Sequence, residues 1–117
     1  MPADRPEYWS VDVGTADVAL LEVPPALRPR TFQVDVRCVV RCPGDGDPAR
    51  HGLTVELDGR RAWSREIATA NPGQTDSLDY QQRVEVDAGA GLRIRAVARA
   101  RAAQPVQLRI EAQEQEH

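Results

Sequence analysis

Four arginines, Arg93, Arg95, Arg99 and Arg101, recur with even spacing near the end of the chain. Alternate residues of a β-strand point to one side, so these guanidinium groups are expected to share one face over about 27 Å. Guanidinium groups bind carboxylate, sulfate and phosphate oxygens in bidentate fashion. The arginine face is therefore a candidate site for an acidic protein surface, a sulfated or uronic glycan, or a phosphate backbone.

Ion pairs within the sheet are the other interpretation of the arginine face. Opposite charges on neighbouring strands pair across a sheet, and Glu56, Glu85 and Glu111 fall in predicted strands. The chain has 18 acidic residues against 15 basic ones, all of them arginine, so enough carboxylates are present. We expect such pairs to account for the arginines, with an acidic ligand as the alternative.

The loop 43–52 contains candidate ligands for a calcium ion. Asp45 and Asp47, with Asp58 or His51 nearby, offer ligands to a calcium ion. Calcium takes six to eight oxygens, and the further acids of a calcium motif are missing. We expect turn-forming residues here, no metal and no cofactor.

Cys38 and Cys42 are the only cysteines, and they lie four residues apart on a predicted strand. At strand rise their Cα atoms are about 13 Å apart, whereas a disulfide requires less than about 7 Å. We expect two reduced, core-facing thiols, which are typical of a reducing compartment. With His51 they provide three of the four ligands of a zinc site, and the fourth is missing.

The sequence contains few of the residue arrangements that enzymes use for catalysis. A Ser-His-Asp or Cys-His set would have to use His51, which is predicted in an exposed turn, or His117 at the chain end. Buried cysteines are not activated thiolates, and no glycine-rich loop links a strand to a helix. We predict a protein that is not an enzyme, and a small enzyme with its site on the loop 43–52 is the alternative.

Alternating apolar and polar residues predict strands along most of the chain. The alternating segments are Thr31–Cys42, Leu53–Asp58, Leu78–Asp87, Leu92–Ala102 and Pro105–Ala112, with shorter strands at 9–13 and 16–23. The second short segment is almost continuously apolar, which favours a strand that is covered on both faces or bulged. Seven or eight strands at roughly ten-residue spacing predict an all-β fold, a two-sheet antiparallel β-sandwich.

The dipeptide Asp58-Gly59 predicts a hairpin that leads into a strand at Arg60–Ile67. A two-residue turn places Trp63 opposite Thr54, and a three-residue turn places it opposite Val55. We favour the register with Trp63 inward, because an exposed indole on a sheet is costly without a partner.

The hairpin Leu53–Gly59 and the closing pair of strands, Leu92–Ala102 and Val106–Ala112, resemble the immunoglobulin or fibronectin type III sandwich. The resemblance implies a fold and no site residues, because the inter-sheet cysteine pair of antibody domains is missing. A jelly roll of similar size is the alternative.

Size and charge narrow the function classes. A chain of 117 residues, 41% hydrophobic and 28% charged, is typical of one folded domain, here with a loose leader (1–7) and a polar tail (113–117). The formal net charge of −3 argues against a nucleic-acid binder. No apolar stretch approaches the roughly 20 residues of a membrane span, and residues 1–10 lack a signal-peptide pattern, so we expect a cytoplasmic location.

These observations favour a non-catalytic interaction module or assembly subunit that acts through protein–protein contacts. A free sheet edge, formed by the first strand or by Val106–Ala112, is expected to pair with another protein or with a second copy. The alternative is a binding module for an acidic glycan or other polyanion that uses the face from Arg93 to Arg101.

Overall fold

The computed structural model of the chain describes residues 5–44 and 48–116. Within these ranges the chain forms eight strands and no helix. In chain order they are β1 (Tyr8–Asp12), β2 (Val18–Val23), β3 (Arg30–Arg41), β4 (Arg50–Leu57), β5 (Arg60–Ala68), β6 (Thr75–Val86), β7 (Leu92–Arg101) and β8 (Gln104–Glu114). The all-β prediction is confirmed, with strand ends displaced by a few residues from those expected.

The strands form two antiparallel sheets, the first with the order β1-β8-β3-β6 and the second with the order β2-β7-β4-β5. Four strand pairs are nested in sequence, because β1 pairs with β8, β2 with β7, β3 with β6 and β4 with β5. The chain is therefore one long hairpin, folded back at Asp58-Gly59 and rolled so that successive strand pairs alternate between the sheets. This arrangement is the jelly roll, which was the alternative expectation.

The strand order corrects the immunoglobulin-like interpretation. In an immunoglobulin sandwich the first two strands pair within one sheet, whereas β1 and β2 lie in different sheets. The strands β7 and β8, which carried part of the resemblance, also lie in opposite sheets. The two-residue connection between them crosses the sandwich, and alternation alone does not distinguish such a crossing from a hairpin.

The core lies between the two sheets and is filled by alternate residues of each strand. Side chains buried completely or almost completely include Phe32, Val34, Leu53, Ile94 and Ile110. The strand β2 follows the same alternation, with Val18 and Leu20 each 40% exposed on its outer face. The expectation of a strand covered on both faces or bulged is therefore wrong, because β2 is an edge strand whose outer face meets solvent.

The hairpin between β4 and β5 turns Trp63 inward, as predicted. Asp58 and Gly59 have φ angles of 51° and 82° and form a two-residue turn. That turn alone would direct Trp63 outward, but a register shift after Val55 places Trp63 opposite that residue. The half-buried indole packs against Tyr80, with ring centroids 5.4 Å apart. A β-bulge, and not a three-residue turn, sets the register.

One end of the sandwich, the closed end, is sealed by ion pairs among Glu7, Arg28, Arg30 and Glu114. The Arg30 side chain has 0% exposure, and its Nη1 donates to Glu7 Oε1 at 2.8 Å. Its Nη2 donates to two backbone carbonyl groups, each at 3.0 Å. Arg28 donates to the carboxylates of both Glu7 and Glu114.

The closed end also corrects the expected leader and tail. Glu7 belongs to the predicted leader 1–7, yet it is half-buried against Arg30. Glu114 belongs to the predicted tail 113–117, yet it continues β8 and its side chain is only 9% exposed. Residues 1–4 and His117 lie outside the described residues.

Candidate interaction surfaces

The four predicted arginines lie exposed on one outer face, that of the second sheet: Arg93, Arg95, Arg99 and Arg101. Two of them have acidic partners. Arg95 Nη1 lies 2.7 Å from Glu56 Oε1, and Arg93 Nε lies 3.6 Å from Glu22 Oε1. The half of the face nearer the closed end is thus neutralised within the sheet.

The expected acidic partners are correct in one case of three. Glu56 pairs with the arginine face as predicted. Glu85 and Glu111 lie on β6 and β8, which belong to the other sheet, and Glu111 instead contacts Arg109 and the hydroxyl of Tyr8. Sequence alternation showed which side chains share a strand face but not which strands are neighbours.

Arg99 and Arg101 form the other half of the face. Neither has a carboxylate within 4.0 Å among the residues that the structure describes. Arg99 Nη1 donates to Thr54 Oγ1 at 2.8 Å, and its guanidinium lies over Gly52. A Cβ atom at position 52 would be 2.9 Å from Arg99 Nη2. Because Gly52 has no side chain, the Arg99 guanidinium group lies directly on the surface of the sheet.

Arg101 faces a third basic residue across the sheet. Arg50 on β4 is its direct partner in the β4–β7 register. The Nε of Arg50 lies 3.5 Å from Glu66 Oε2, and both side chains are 50% exposed. Sequence reasoning missed Arg50, although the alternation of Leu53 and Val55 can be continued backwards to place it on the outer face.

The end of the sandwich where β7 ends and β8 begins, the open end, holds a cavity of about 350 Å³ between the sheets. Its lining includes Cys38, Val40, Ala98 and Leu108. The inward residues of β7 become smaller towards this end, from Leu92 and Ile94 to Ala96, Ala98 and Ala100. Ala96 is fully buried and Ala100 is exposed, so small side chains leave the space unfilled.

Three of the four edge strands have features that hinder pairing with another chain. The strand β1 has five residues, and β2 has six residues followed by Pro24 and Pro25. The strand β5 is bulged, and its Arg65 lies opposite the fully buried Leu53 while remaining exposed. The segment Val106–Ala112, predicted as an edge, lies in β8 between β1 and β3, so that expectation is wrong.

The fourth edge strand, β6, is long and is not bulged, and its inward-facing charge, Asp76, lies next to its first residue, Thr75. It pairs with β3 over twelve consecutive residues without a register shift, and it contains no proline. Its outer face carries Asp79 and Arg83 on either side of Gln81. Asp79 lies 3.9 Å from Arg37, with both side chains about half exposed. Sequence alternation predicted this strand, but its position at an edge follows only from the strand order.

His51 is buried, which corrects its expected place in an exposed turn. The strand β4 begins at Arg50, three residues before the predicted start at Leu53, so His51 points inward and is 1% exposed. Its Nδ1 lies 2.8 Å from Thr69 Oγ1, and its Nε2 has no partner among the described residues. Burial lowers the pKa of His51, which favours the neutral imidazole.

Both cysteines are free and buried, as predicted. Burial raises the pKa of Cys38 to about 11, with a smaller contribution from the nearby Asp79 carboxylate. Cys42 Sγ lies 3.7 Å from the carbonyl oxygen of Thr69. Burial therefore favours the protonated form of the Cys38 thiol at neutral pH.

Residues 5–44 and 48–116 contain no group of three or more His, Cys, Asp or Glu side chains that would hold a metal ion. The candidates Asp45 and Asp47 lie outside the described residues. A helix long and apolar enough to cross a membrane is likewise not found in the described part of the chain.

No protein-family model matches the chain, and no curated protein sequence matches it significantly. Among solved structures it is similar to part of dimeric latent PorU from Porphyromonas gingivalis, with a TM-score of 0.58 and 11% identity, covering 92% of this chain and 11% of that chain. It is also similar to part of the mosquito-larvicidal Cry4Aa toxin from Bacillus thuringiensis, with a TM-score of 0.51 and 9% identity, covering 89% of this chain and 19% of that chain.

A family 35 carbohydrate binding module from Clostridium thermocellum matches with a TM-score of 0.43 and 12% identity, covering 92% of this chain and 98% of that chain. The chain spans only 11% and 19% of the lengths of PorU and Cry4Aa. At such identities, the two matches with the higher TM-scores show a shared β-sandwich fold and nothing about function.

Proposed function

We propose that this domain is a non-catalytic interaction module that associates through the free edge of β6, and that its partner is a second copy of the chain. The observation that carries the proposal is the twelve-residue edge without bulge or proline, beside three edges that are short or protected. An exposed edge of this length presents unpaired N–H and C=O groups to another strand.

The charges on the outer face of β6 favour a second copy as the partner. A two-fold antiparallel pairing centred on Gln81 sets Asp79 of each copy opposite Arg83 of the other. Arg83 has no ion pair among the described residues, and the contact of Asp79 with Arg37 is long and exposed. Opposite charges that face each other across strands stabilise a sheet.

Other registers are less favourable for the same residues. Centring the pair on Asp79 or on Arg83 sets like charges against each other, and centring it on Gln82 sets Asp79 against Glu85. Like charges directly opposite each other destabilise a strand pair. A register centred on Tyr80 sets no charges opposite each other. Among these registers only the one centred on Gln81 sets opposite charges against each other, which is the self-complementarity that a symmetric interface requires.

Two observations support a role without catalysis. His51 is enclosed by the core, with its imidazole held neutral. The Cys38 thiol has a pKa of about 11, far from that of an activated nucleophile. Neither side chain is presented to a substrate in solution.

Sedimentation equilibrium tests the proposal. The wild-type chain is expected to show a concentration-dependent mass that rises from 12.9 kDa towards twice that value. Asp79→Arg is expected to give a monomer, because it sets two cations against each other. The double variant Asp79→Arg/Arg83→Asp restores opposite charges and is expected to recover the dimer. Glu66→Arg, the same charge change on the neighbouring edge strand β5, serves as the control.

A wild-type chain that stays monomeric at all concentrations contradicts the proposal. So does a dimer that Asp79→Arg leaves intact, or one that Glu66→Arg dissociates equally well. Thermal unfolding of each variant separates loss of association from loss of folding, since the substituted side chains are exposed and are expected to affect stability little.

A further inference from the structure

We infer that the arginine cluster, defined as Arg50, Arg99 and Arg101, is a binding site for an acidic polysaccharide. The cluster lies on the outer face of the second sheet, on other strands than the edge of β6. Three arginine side chains lie there on neighbouring positions of β4 and β7, and Glu66 is the one carboxylate within 4.0 Å of any of them among the described residues. The patch thus keeps a surplus of positive charge on a chain whose formal net charge is −3.

The pairing of Arg50 with Arg101 sets two cations directly opposite each other. Facing side chains in such a pair have Cβ atoms about 5 Å apart, and like charges there are destabilising. A carboxylate or sulfate group bound between them removes this repulsion and accepts hydrogen bonds from both guanidinium groups. On the other half of β7, Glu22 and Glu56 already neutralise Arg93 and Arg95 through one ion pair each.

Arg99 is held in place before any ligand arrives. Its Nη1 donates to Thr54 Oγ1 at 2.8 Å, and its guanidinium occupies the space above Gly52. A guanidinium group has five N–H donors, so most of them remain available. Less side-chain entropy is lost on binding when a donor group is already ordered.

The shape of the site favours an extended polymer over a small molecule. The guanidinium groups lie on an exposed strand face, and the cavity at the open end, which Arg99 also borders, lies between the sheets. The hydroxyl groups of Thr54 and Ser64, 2.8 Å apart, lie beside Arg99 and offer hydrogen bonds to sugar hydroxyl groups. A repeating acidic sugar supplies both the anionic group and the hydroxyl groups in one ligand.

Nucleic acid fits the same surface less well. Its affinity depends on the neutralisation of several phosphates by a basic surface. Here the basic area comprises three arginines, and the next arginines along β7 are already occupied by Glu22 and Glu56. A DNA backbone also lacks free sugar hydroxyl groups for Thr54 and Ser64 to bind, whereas a polysaccharide supplies them.

Calorimetric titration tests the inference with heparin, which carries sulfate and carboxylate, and with polygalacturonate, which carries carboxylate alone. Neutral dextran is the ligand control. Arg99→Ser/Arg101→Ser is expected to weaken binding of the acidic polymer about tenfold or more, because charge-assisted hydrogen bonds are lost. The matched control, Arg93→Ser/Arg95→Ser, removes the same number of charges from the same face and is expected to weaken it much less.

Binding of heparin alone points to sulfate as the recognised group, and binding of both polymers points to any acidic sugar. The inference is overturned if neither polymer binds, if the two double variants weaken binding equally, or if duplex DNA binds more tightly than both polymers. Arg50→Ser provides an independent variant, and circular dichroism verifies that each variant is folded. Repeating the titration with Asp79→Arg distinguishes this site from the edge of β6.

Discussion

The two ends of the sandwich differ in how their charged and apolar groups are satisfied. At the closed end, Arg30 is fully buried, and Glu7 and two carbonyl groups accept its hydrogen bonds. At the open end, Arg99 and Arg101 are exposed without a carboxylate within 4.0 Å among the described residues. Arg30 fills the core at the closed end, which carries an open surface groove beside Pro24 and Pro25, whereas a cavity of about 350 Å³ lies between the sheets at the open end.

This difference separates groups that stabilise the fold from groups that are available to a partner. A buried charge that loses its partner destabilises a protein strongly, whereas exposed charges contribute little to stability. Residues at the closed end are therefore constrained by folding. Folding places no such constraint on the arginine cluster or on the free edge of β6, so their side chains are available for binding.

The largest expected effect comes from replacing one arginine at each end. Arg30→Met is expected to lower the free energy of unfolding by about 3 kcal/mol, because it removes the buried half of the ion pair with Glu7 and leaves two backbone carbonyl groups without their donor. Arg99→Met is expected to change it by less than about 0.5 kcal/mol, as for other exposed residues. Urea unfolding of both variants measures the contrast. Equal losses would mean that the two ends do not differ in this way.

A second comparison uses two neighbouring inward alanines of β7. Ala96 is fully buried, so Ala96→Val is expected to overpack the core and to cost about 1–3 kcal/mol. Ala98 lines the cavity, so Ala98→Val is expected to fill space and to stabilise the domain by about 0.5–1 kcal/mol. Thermal unfolding of the two variants measures both effects. Destabilisation by Ala98→Val would argue against a cavity at the open end.

The strands were predictable from sequence because the two-residue period of a half-buried sheet is a local signal. The alternation of Val34, Val36 and Cys38 shows which side of β3 faces the core. The sheet order was not predictable, because it depends on which way each connection runs. The link through Ala102 and Ala103 crosses between sheets, while the Asp58-Gly59 turn stays within one, and both are short.

The candidate sites were predictable only in part for the same reason. The arginines of β7 share a face, as their spacing indicated. Their division into paired and unpaired halves depends on neighbours distant in sequence, such as Glu56 and Arg50. The burial of Arg30 was equally hidden, since its partner Glu7 comes from a segment that looked like a loose leader.

At the closed end, the protein is expected to lose stability at low pH as Glu114 is protonated. The Arg28 guanidinium beside it lowers the pKa of Glu114 from its usual 4.5 to about 2. The folded state therefore takes up this proton less readily than the unfolded state, and the stability that the carboxylate contributes is fully present above about pH 4.5. It is lost as the pH falls from about 4.5 to about 2. Unfolding curves for the wild type and Glu114→Gln are expected to converge over that range.

At the open end, His51 is expected to respond at higher pH and more weakly. Burial lowers its pKa from the usual 6.5, and the nearby Asp76 carboxylate partly offsets the shift. The unfolded chain then binds the proton more readily, so stability falls as the pH drops below about 6.5. His51→Gln retains a polar group for Thr69 and removes the titration. Unfolding curves between pH 7 and pH 5 are expected to show a loss in the wild type that the variant lacks. A variant with the same loss would show that another group is responsible.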